Sequence, residues 1–217
     1  KIAASLDGKT ALPNGQSQWI TGLQARADGH HWRAQACAIV TGVGTVKEDN
    51  PQLNVRDIDT SRQPLRVLID SFLEVPLDAK ILDESLGSHT VVVCGQVDAG
   101  HFEKMSHALR EKNVTLVALP DASNSKGKVD LTALFKYLAE KLHINEVHVE
   151  AGFKLNGSLI REGCVDELLI YMAPKLLGDA VGIANLPSLS TLDDVKAWDL
   201  IDHISVGDNL RIRLKKK

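Results

Sequence analysis

Residues 38–49 read AIVTGVGTVKED and combine an apolar run, a glycine-rich turn and a short helix-forming segment. The run Ala38–Thr41 is typical of a buried strand, and the turn at Gly42 and Gly44 ends it. A short helix follows and stops at Asn50-Pro51, because the residue before a proline disfavours helical backbone. This order predicts an α/β sheet with helices on its faces.

The alternation continues in both directions from this stretch. The form of a capping box at Thr21–Gln24 predicts a helix to about Gln35, with Leu23, Ala27, His31 and Ala34 at helical spacing. Apolar runs rich in Val, Leu or Ile predict further strands at Lys1–Ser5, Leu65–Asp70, Thr90–Cys94, Val114–Ala118, Glu146–Glu150 and Glu167–Ala173. Asp130 is suited to cap a helix with an apolar stripe from Leu131 to Leu142, and another short helix follows Gly152. A hairpin at Trp198–Leu214 makes the predicted sheet mixed.

Composition limits the function classes. The 217 residues, 44% of them apolar, suit one large domain or at most two small ones. With 28 acidic and 25 basic residues the formal net charge is −3, so no global field attracts nucleic acid or an anionic membrane. Cys37, Cys94 and Cys164 are widely separated, which favours reduced thiols in a cytoplasmic protein over a disulfide framework or a zinc site.

Several polar residues are placed where they suit ligand binding. Gly42-x-Gly44 and the segment Gly152–Ser158 are glycine-rich strand-to-helix junctions, which expose N–H groups to anions, although each is equally consistent with a tight turn. Arg26, Arg33 and Arg56 are suited to a phosphate clamp or to the solvated surface. Glu150 and Asp49 end predicted elements, where carboxylates either line a cleft or cap a turn. No hydrolase motif or metal-ligand spacing is present in the sequence, and the histidines are interpreted as structural or surface residues.

A combination of sequence blocks resembles the reductase domain of bacterial riboflavin-biosynthesis deaminase/reductases. The blocks occur in the family's order over about residues 1 to 180: KIAASLDGKTA (1–11), SQWIT (17–21), TGVGTV (41–46), DNPQLNVR (49–56), VLIDS (67–71), VEAG (149–152) and YMAPKLLG (171–178). The resemblance implies a three-layer dihydrofolate-reductase-like fold, with a mixed, mainly parallel sheet between helices. Residues 1–217 then form a single NADPH-dependent reductase domain, with a zinc deaminase domain preceding it in the native chain.

The resemblance also implies a reaction and a site. The reaction is the reduction of 5-amino-6-(5-phosphoribosylamino)uracil to its phosphoribitylamino product by hydride from NADPH, in a protein that forms homodimers. The implied substrate residues are Ser17, Thr21, Arg33, Leu53, Arg56 and Glu150, with both arginines on the 5′-phosphate. The implied cofactor residues are Ala3, Trp19, Thr45, Asp49, Ser71, Gly152, Phe153, Lys154, Leu155, Asn156, Gly157 and Ser158. Lys1, Asp49 and Glu150 are the implied polar catalytic cluster around the reacting ribose.

Two other functions remain open at this stage. A pterin reductase on the same fold would not need two arginines for a phosphate. A catalytically silent domain would bind nucleotide without turning over a substrate. Both differ from the implied reductase in what they bind or consume.

Overall fold

A computed structural model describes residues 1–123 and 126–217 of the chain. The described residues form two compact units: residues 1–29 with 151–217, called the first unit, and residues 30–150, called the second unit. The Ser, Asn, Lys and Gly content of Asp121–Lys128 predicts a surface loop. This range includes residues 124 and 125, which lie outside the described residues.

The second unit is built on a five-stranded parallel sheet. Its strands, in spatial order, are β6 (Thr115–Ala118), β5 (Thr90–Cys94), β4 (Leu65–Ile69), β3 (Ala38–Gly42) and β7 (Val147–Val149). Its helices are α2 (Val43–Asp49), α3 (Ala99–Glu111) and α4 (Leu131–Leu142), together with the second half of α1 (Leu23–Gln35). Short 3₁₀ turns lie at Lys80–Leu82 and Glu84–Leu86.

One face of this sheet carries a hydrophobic core shared with α2 and α3. Ile39, Leu68 and Val92 come from three neighbouring strands, and Val46 of α2 and Leu109 of α3 pack with them. Successive strand side chains point to opposite faces, and the residues of β3, β4 and β5 are buried almost throughout, so both faces of these strands are covered. This is why these strands read as continuous apolar segments in the sequence.

The first unit contains a mixed sheet and a small antiparallel pair. The mixed sheet has the order β1 (Ile2–Ser5), β8 (Glu167–Ala173), β11 (Asn209–Lys216), β10 (Trp198–Val206), with β1 parallel to β8 and the other pairs antiparallel. The pair is β2 (Lys9–Ala11) with β9 (Val181–Gly182). The helix α5 (Phe153–Arg161) and the start of α1 also belong to this unit, as does a 3₁₀ turn at Leu192–Asp194.

The architecture confirms the predicted mixed, mainly parallel sheet with helices and a C-terminal hairpin. Three details differ from the sequence prediction. The helix α3 and the strands β2 and β9 were not predicted. The predicted apolar spacing of α1 does not mark its buried face, because Leu23 is 74% exposed and Ala27 and His31 are exposed, whereas Ala25 and His30 are buried. No helix among residues 1–123 and 126–217 is long and apolar enough to cross a bilayer.

Candidate active site

Arg33 and Glu150 of the second unit form an ion pair. Arg33 Nη2 donates to Glu150 Oε2 at 3.0 Å, and Arg33 Nε donates to the other carboxylate oxygen. The two side chains are only 13% and 16% exposed. Burial acts to lower the pKa of Arg33, but the Glu150 carboxylate raises this pKa above its usual value. The pair is therefore a two-pronged, charge-assisted contact that fixes the direction of the carboxylate.

The sheet places Glu150 through its main chain. Glu150 directly follows β7, and its N–H donates to the carbonyl of Val40 in β3 at 2.9 Å. Its own carbonyl accepts from Thr41 Oγ1 at 2.7 Å. His148 lies two residues earlier on the same face of the strand, with Nε2 3.4 Å from Glu150 Oε1. Glu150 is thus held at the carboxyl edge of a parallel sheet, where α/β proteins commonly bind ligands.

Arg56 lies beside this pair and is much more exposed. Its side chain is 49% exposed, and its Nη1 donates to Asn54 Oδ1 at 3.3 Å. The carbonyl of the same Asn54 accepts from Arg33 Nη1 at 3.0 Å. Burial and the nearby charge of Arg33 lower the pKa of Arg56. The two predicted phosphate-binding arginines are therefore neighbours, and Arg56 is the one whose guanidinium faces solvent.

Four other predicted residues belong to the second unit: Thr45, Asp49, Leu53 and Ser71. Thr45 is in the first turn of α2, and Asp49 is its last residue, before Asn50 in the left-handed conformation at φ 42°. Leu53 is 2% exposed and packs in the hydrophobic core of the unit. Ser71 follows β4, and its hydroxyl accepts from the Val129 N–H at 3.3 Å.

Lys1 in the first unit lies over an aromatic ring. Its Nζ is 5.8 Å from the centroid of Tyr171, a fully buried residue whose hydroxyl donates to Asp28 Oδ2 at 2.5 Å. Arg211 donates to the same Asp28 oxygen at 3.1 Å. The ring position of Tyr171 is thus fixed by a charged partner, and the ring faces the Lys1 ammonium.

The other predicted residues of the first unit are spread over β1 and the segment that precedes α1. Ala3 pairs with Tyr171 in the sheet register. Trp19 is 63% exposed, and the guanidinium of Arg26 stacks on its ring at 4.3 Å. Arg26 also donates to the carbonyl of Thr21 at 3.0 Å, so it stabilises this segment. Ser17 is half-buried.

The segment Gly152–Ser158 divides into two parts. Gly152 is the N-cap of α5, in extended conformation, and Phe153, Lys154 and Leu155 form the first turn of the helix. Asn156 and Gly157 are buried and pack instead on residues 183–185: Asn156 Nδ2 donates to the Ile183 carbonyl at 2.9 Å. A Cβ at Gly157 would lie 2.2 Å from the Asn185 carbonyl oxygen. The second glycine is therefore required for close packing of α5.

A family model described as the RibD C-terminal domain matches residues 1–206. The chain belongs to the RibD C-terminal domain family. The riboflavin biosynthesis protein RibD of Escherichia coli (strain K12) is 38% identical over 99% of this chain. The alignment covers 58% of that protein, so the chain spans little more than half the length of this RibD relative.

Solved structures of RibD proteins share the fold. Acinetobacter baumannii RibD, form 1, is 33% identical with a TM-score of 0.84, over 100% of this chain and 56% of that chain. A Thermotoga maritima protein described as a diaminohydroxyphosphoribosylaminopyrimidine deaminase/5-amino-6-(5-phosphoribosylamino)uracil reductase is 23% identical with a TM-score of 0.76, over 100% of this chain and 55% of that chain, which shows a shared fold. The dihydrofolate-reductase-like class predicted from the sequence is confirmed for this RibD C-terminal domain.

Several residues that contact the predicted site residues were not predicted from the sequence. His148 precedes Glu150 by two positions, and the two-residue period of a strand was the signal that could have placed it on the same face. Asn54 and His30 carry no pattern that marks them, because their hydrogen bonds join segments that are distant in the chain. Tyr171 and Asp28 are separated by 143 residues and meet only in the folded unit.

Proposed function

We propose that this chain reduces 5-amino-6-(5-phosphoribosylamino)uracil to 5-amino-6-(5-phosphoribitylamino)uracil with hydride from NADPH, as an enzyme of riboflavin biosynthesis. One observation carries the proposal: a chain of the RibD C-terminal domain family holds a fixed carboxylate, Glu150, beside a solvent-facing guanidinium, Arg56, at the carboxyl edge of a parallel sheet. A ribose phosphate needs both a cation for the phosphate and an oriented acceptor for its hydroxyl groups.

The proposed reaction adds one hydride and one proton to the substrate. Opening of the ribose ring breaks the C1′–O4′ bond, moves the N–H proton to O4′ and leaves an imine at C1′. NADPH supplies the hydride that forms the new C1′–H bond. A proton then reaches the imine nitrogen, so that the sum is a ribitylamine. The protein's own task is to orient the substrate and to handle one proton.

Three residues of the chain are assigned to this task in the proposal. Glu150 is assigned as an acceptor for a hydrogen bond from the substrate, because each of its oxygens accepts one bond from Arg33 and a carboxylate oxygen has a further lone pair. Its negative charge also favours a cationic imine. Lys1 offers N–H donors and Asp49 offers a further acceptor.

Arg56 is assigned most of the contacts with the 5′-phosphate of the substrate. The Nε and Nη2 atoms of Arg33 both donate to Glu150, whereas the Arg56 side chain is half exposed. A guanidinium matches phosphate oxygens with paired donors. Arg33 then contributes its charge and holds both Glu150 and the Asn54 carbonyl.

The residues present fit a dinucleotide cofactor. Gly152 caps α5 without a side chain, so the first-turn N–H groups of this helix remain suited to a phosphate group. Ser71 follows a strand end, where a hydroxyl suits the ribose 2′-phosphate. The other residues assigned to NADPH in this proposal are Ala3, Trp19 and the first turn of α5 in the first unit, and Thr45 in the second unit.

The wider assembly also belongs to this proposal. In this proposal the 217 residues act as one reductase domain of a longer protein whose preceding segment is a zinc deaminase. The Thermotoga maritima protein, of which this chain covers 55%, is described as a deaminase as well as a reductase. We further propose that the protein is a cytoplasmic homodimer.

The test is an assay of NADPH consumption with the ribosylaminopyrimidine, run beside NADH and beside dihydrofolate. The proposal expects consumption that depends on the ribosylaminopyrimidine and is faster with NADPH than with NADH. Consumption with dihydrofolate alone would indicate a pterin reductase. NADPH binding without consumption of either substrate would indicate a silent nucleotide-binding domain.

A further inference from the structure

The segment that presents Arg56 contains two residues in an uncommon backbone conformation. Leu53 has φ 49° and Asp57 has φ 65°, so one non-glycine residue before Arg56 and one after it lie in the left-handed region. Such conformations are uncommon for residues other than glycine and persist where the surroundings hold them. Something outside residues 53–57 must therefore fix this segment.

The first support is the side chain of Gln63. Its Oε1 accepts from the Val55 N–H at 2.7 Å, and its Nε2 donates to the Val55 carbonyl at 2.9 Å. The amide thus pairs with both main-chain groups of Val55, as a neighbouring strand would. Since Val55 is 4% exposed, these groups would be costly to bury without partners.

The second support is the imidazole of His30, on α1. The N–H of Arg56 points at His30 Nδ1 at 3.3 Å. A main-chain N–H can only donate, so Nδ1 must be an unprotonated acceptor. His30 is 6% exposed, and the charged groups that face it are Arg33, Arg56, Glu150 and Asp57.

The charge state of His30 suits this contact. Burial, followed by the charges of Arg33 and Arg56, lowers the pKa of His30 to about 4. The imidazole therefore stays neutral near pH 7 and keeps its acceptor. A protonated His30 would lose the contact and place a third cation beside two arginines.

We propose that His30 and Gln63 are positioning residues for substrate binding, which fix the main chain of Val55 and Arg56 so that the Arg56 guanidinium is aimed at the substrate phosphate. The inference rests on the proposed function, since it assumes that Arg56 binds the phosphate. Neither residue needs to touch the substrate. Their contribution is to remove the freedom that Arg56 would otherwise lose on binding.

The test uses shape-matched variants of the protein. His30→Leu keeps the branched shape and removes the acceptor, whereas His30→Asn keeps an acceptor at the position of Nδ1. Gln63→Leu removes both bonds to Val55. Arg62→Gln is the control, because the described hydrogen bonds of the Arg62 guanidinium go to the carbonyls of Gln35 and Ala36. Each variant is measured for kcat, for the KM of the ribosylaminopyrimidine and for the KM of NADPH.

The expected result is a selective rise in one constant. His30→Leu and Gln63→Leu raise the substrate KM by about fivefold to tenfold, as the loss of one or two hydrogen bonds predicts, with kcat and the NADPH KM nearly unchanged. His30→Asn and Arg62→Gln stay within about twofold of wild type. If His30→Leu does not fold, the comparison of Gln63→Leu with Arg62→Gln carries the test.

Two outcomes overturn the inference. A substrate KM unchanged in both leucine variants would show that Arg56 does not need these anchors. An equal rise in both KM values would show a general loosening of the unit. Arg56→Ala separates this from the proposed function: if Arg56→Ala leaves the substrate KM unchanged, then the phosphate assignment itself is wrong, whatever the leucine variants do.

Discussion

At the scale of single residues, the structure separates two arginines that look alike in the sequence. Arg33 is mostly buried and both its Nε and Nη2 atoms are bound by Glu150, whereas Arg56 is half exposed. The resemblance predicted both arginines as phosphate-binding residues. The difference in their burial and contacts could not be predicted from the sequence. It depends on a contact between residues that are 117 positions apart.

The first prediction concerns this pair. Glu150→Gln should lower turnover by about a hundredfold, because it removes a charge beside the developing cation. It should also lower the free energy of unfolding by about 1–3 kcal/mol, since the amide nitrogen would face an Arg33 donor and leave a buried cation uncompensated.

Asp49→Asn is the matched comparison for Glu150→Gln. Asp49 is exposed at the end of α2, so this change should reduce turnover with little effect on stability. Single-turnover rates and urea unfolding of both variants provide the measurement. Normal turnover in both would show that these carboxylates do not act in the reaction.

The second prediction concerns Arg56. Arg56→Ala should weaken binding of the substrate or of ribose 5-phosphate by about 2–3 kcal/mol, as expected for a charged, paired contact. Arg56→Lys should restore part of this, because an ammonium keeps the charge but loses the fork. Calorimetric titrations with ribose 5-phosphate or the substrate, and with NADPH, measure the binding free energy of each ligand. A loss confined to NADPH would reassign Arg56 to the cofactor.

At the scale of elements, strands were easier to predict than the short or weakly patterned segments. The bounds predicted for β5 and β8 agree with the structure, because apolar runs between turn residues leave little choice. The helix α3 was missed, since its buried positions are few: Met105 and Leu109 are its fully buried residues, and Gly100 lies in its first turn. The strands β2 and β9 are only three and two residues long and carry no period of their own.

The helix α1 shows a different limit of sequence patterns. Its apolar residues at helical spacing are largely exposed, and its buried face contains Ala25, Gly29 and His30. Small and polar residues mark this face because it packs closely and carries hydrogen bonds. A pattern based on apolar side chains therefore identified the helix but not its orientation.

The third prediction concerns α5 and its packing glycine. Gly157→Ala places a Cβ 2.2 Å from a main-chain oxygen, so α5 must shift, at a cost of about 1–3 kcal/mol in stability. If the first turn of α5 binds NADPH, its affinity should fall as well. Thermal unfolding and NADPH titration test both effects.

Gly100→Ala is the control for Gly157→Ala. A Cβ there meets Asp98 Oδ1 at an ordinary 3.6 Å, and alanine is the better helix former by about 1 kcal/mol. This variant should be as stable as wild type or more so, with NADPH binding unchanged. Equal behaviour of the two variants would argue against a specific packing role for Gly157.

At the scale of the whole molecule, two buried groups act on acid stability in opposite directions. Burial raises the pKa of Asp70, so the folded chain loses this proton at a higher pH than the unfolded chain does. This group's contribution to stability therefore falls as pH rises above 3.8. Burial and two arginines lower the pKa of His30 from 6.5 to about 4. Between these two pKa values the unfolded chain binds a proton at His30 and the folded chain does not. The His30 contribution is complete above pH 6.5 and is lost as pH falls toward 4.

The fourth prediction isolates the His30 contribution. Between about pH 8 and pH 5, wild type should lose about 2 kcal/mol of unfolding free energy that His30→Asn does not lose, because asparagine keeps an acceptor for the Arg56 N–H and cannot be protonated. Urea unfolding of both proteins across this range gives the difference directly. Asp70→Asn is the control: it keeps an acceptor for the Val75 N–H and removes the opposite slope, so its stability should fall more steeply than that of wild type as the solution is acidified. If the unfolding free energies of wild type and His30→Asn change with pH in parallel, then the pKa of His30 is not lowered by folding. In that case the His30 contact with the Arg56 N–H does not order residues 53–57.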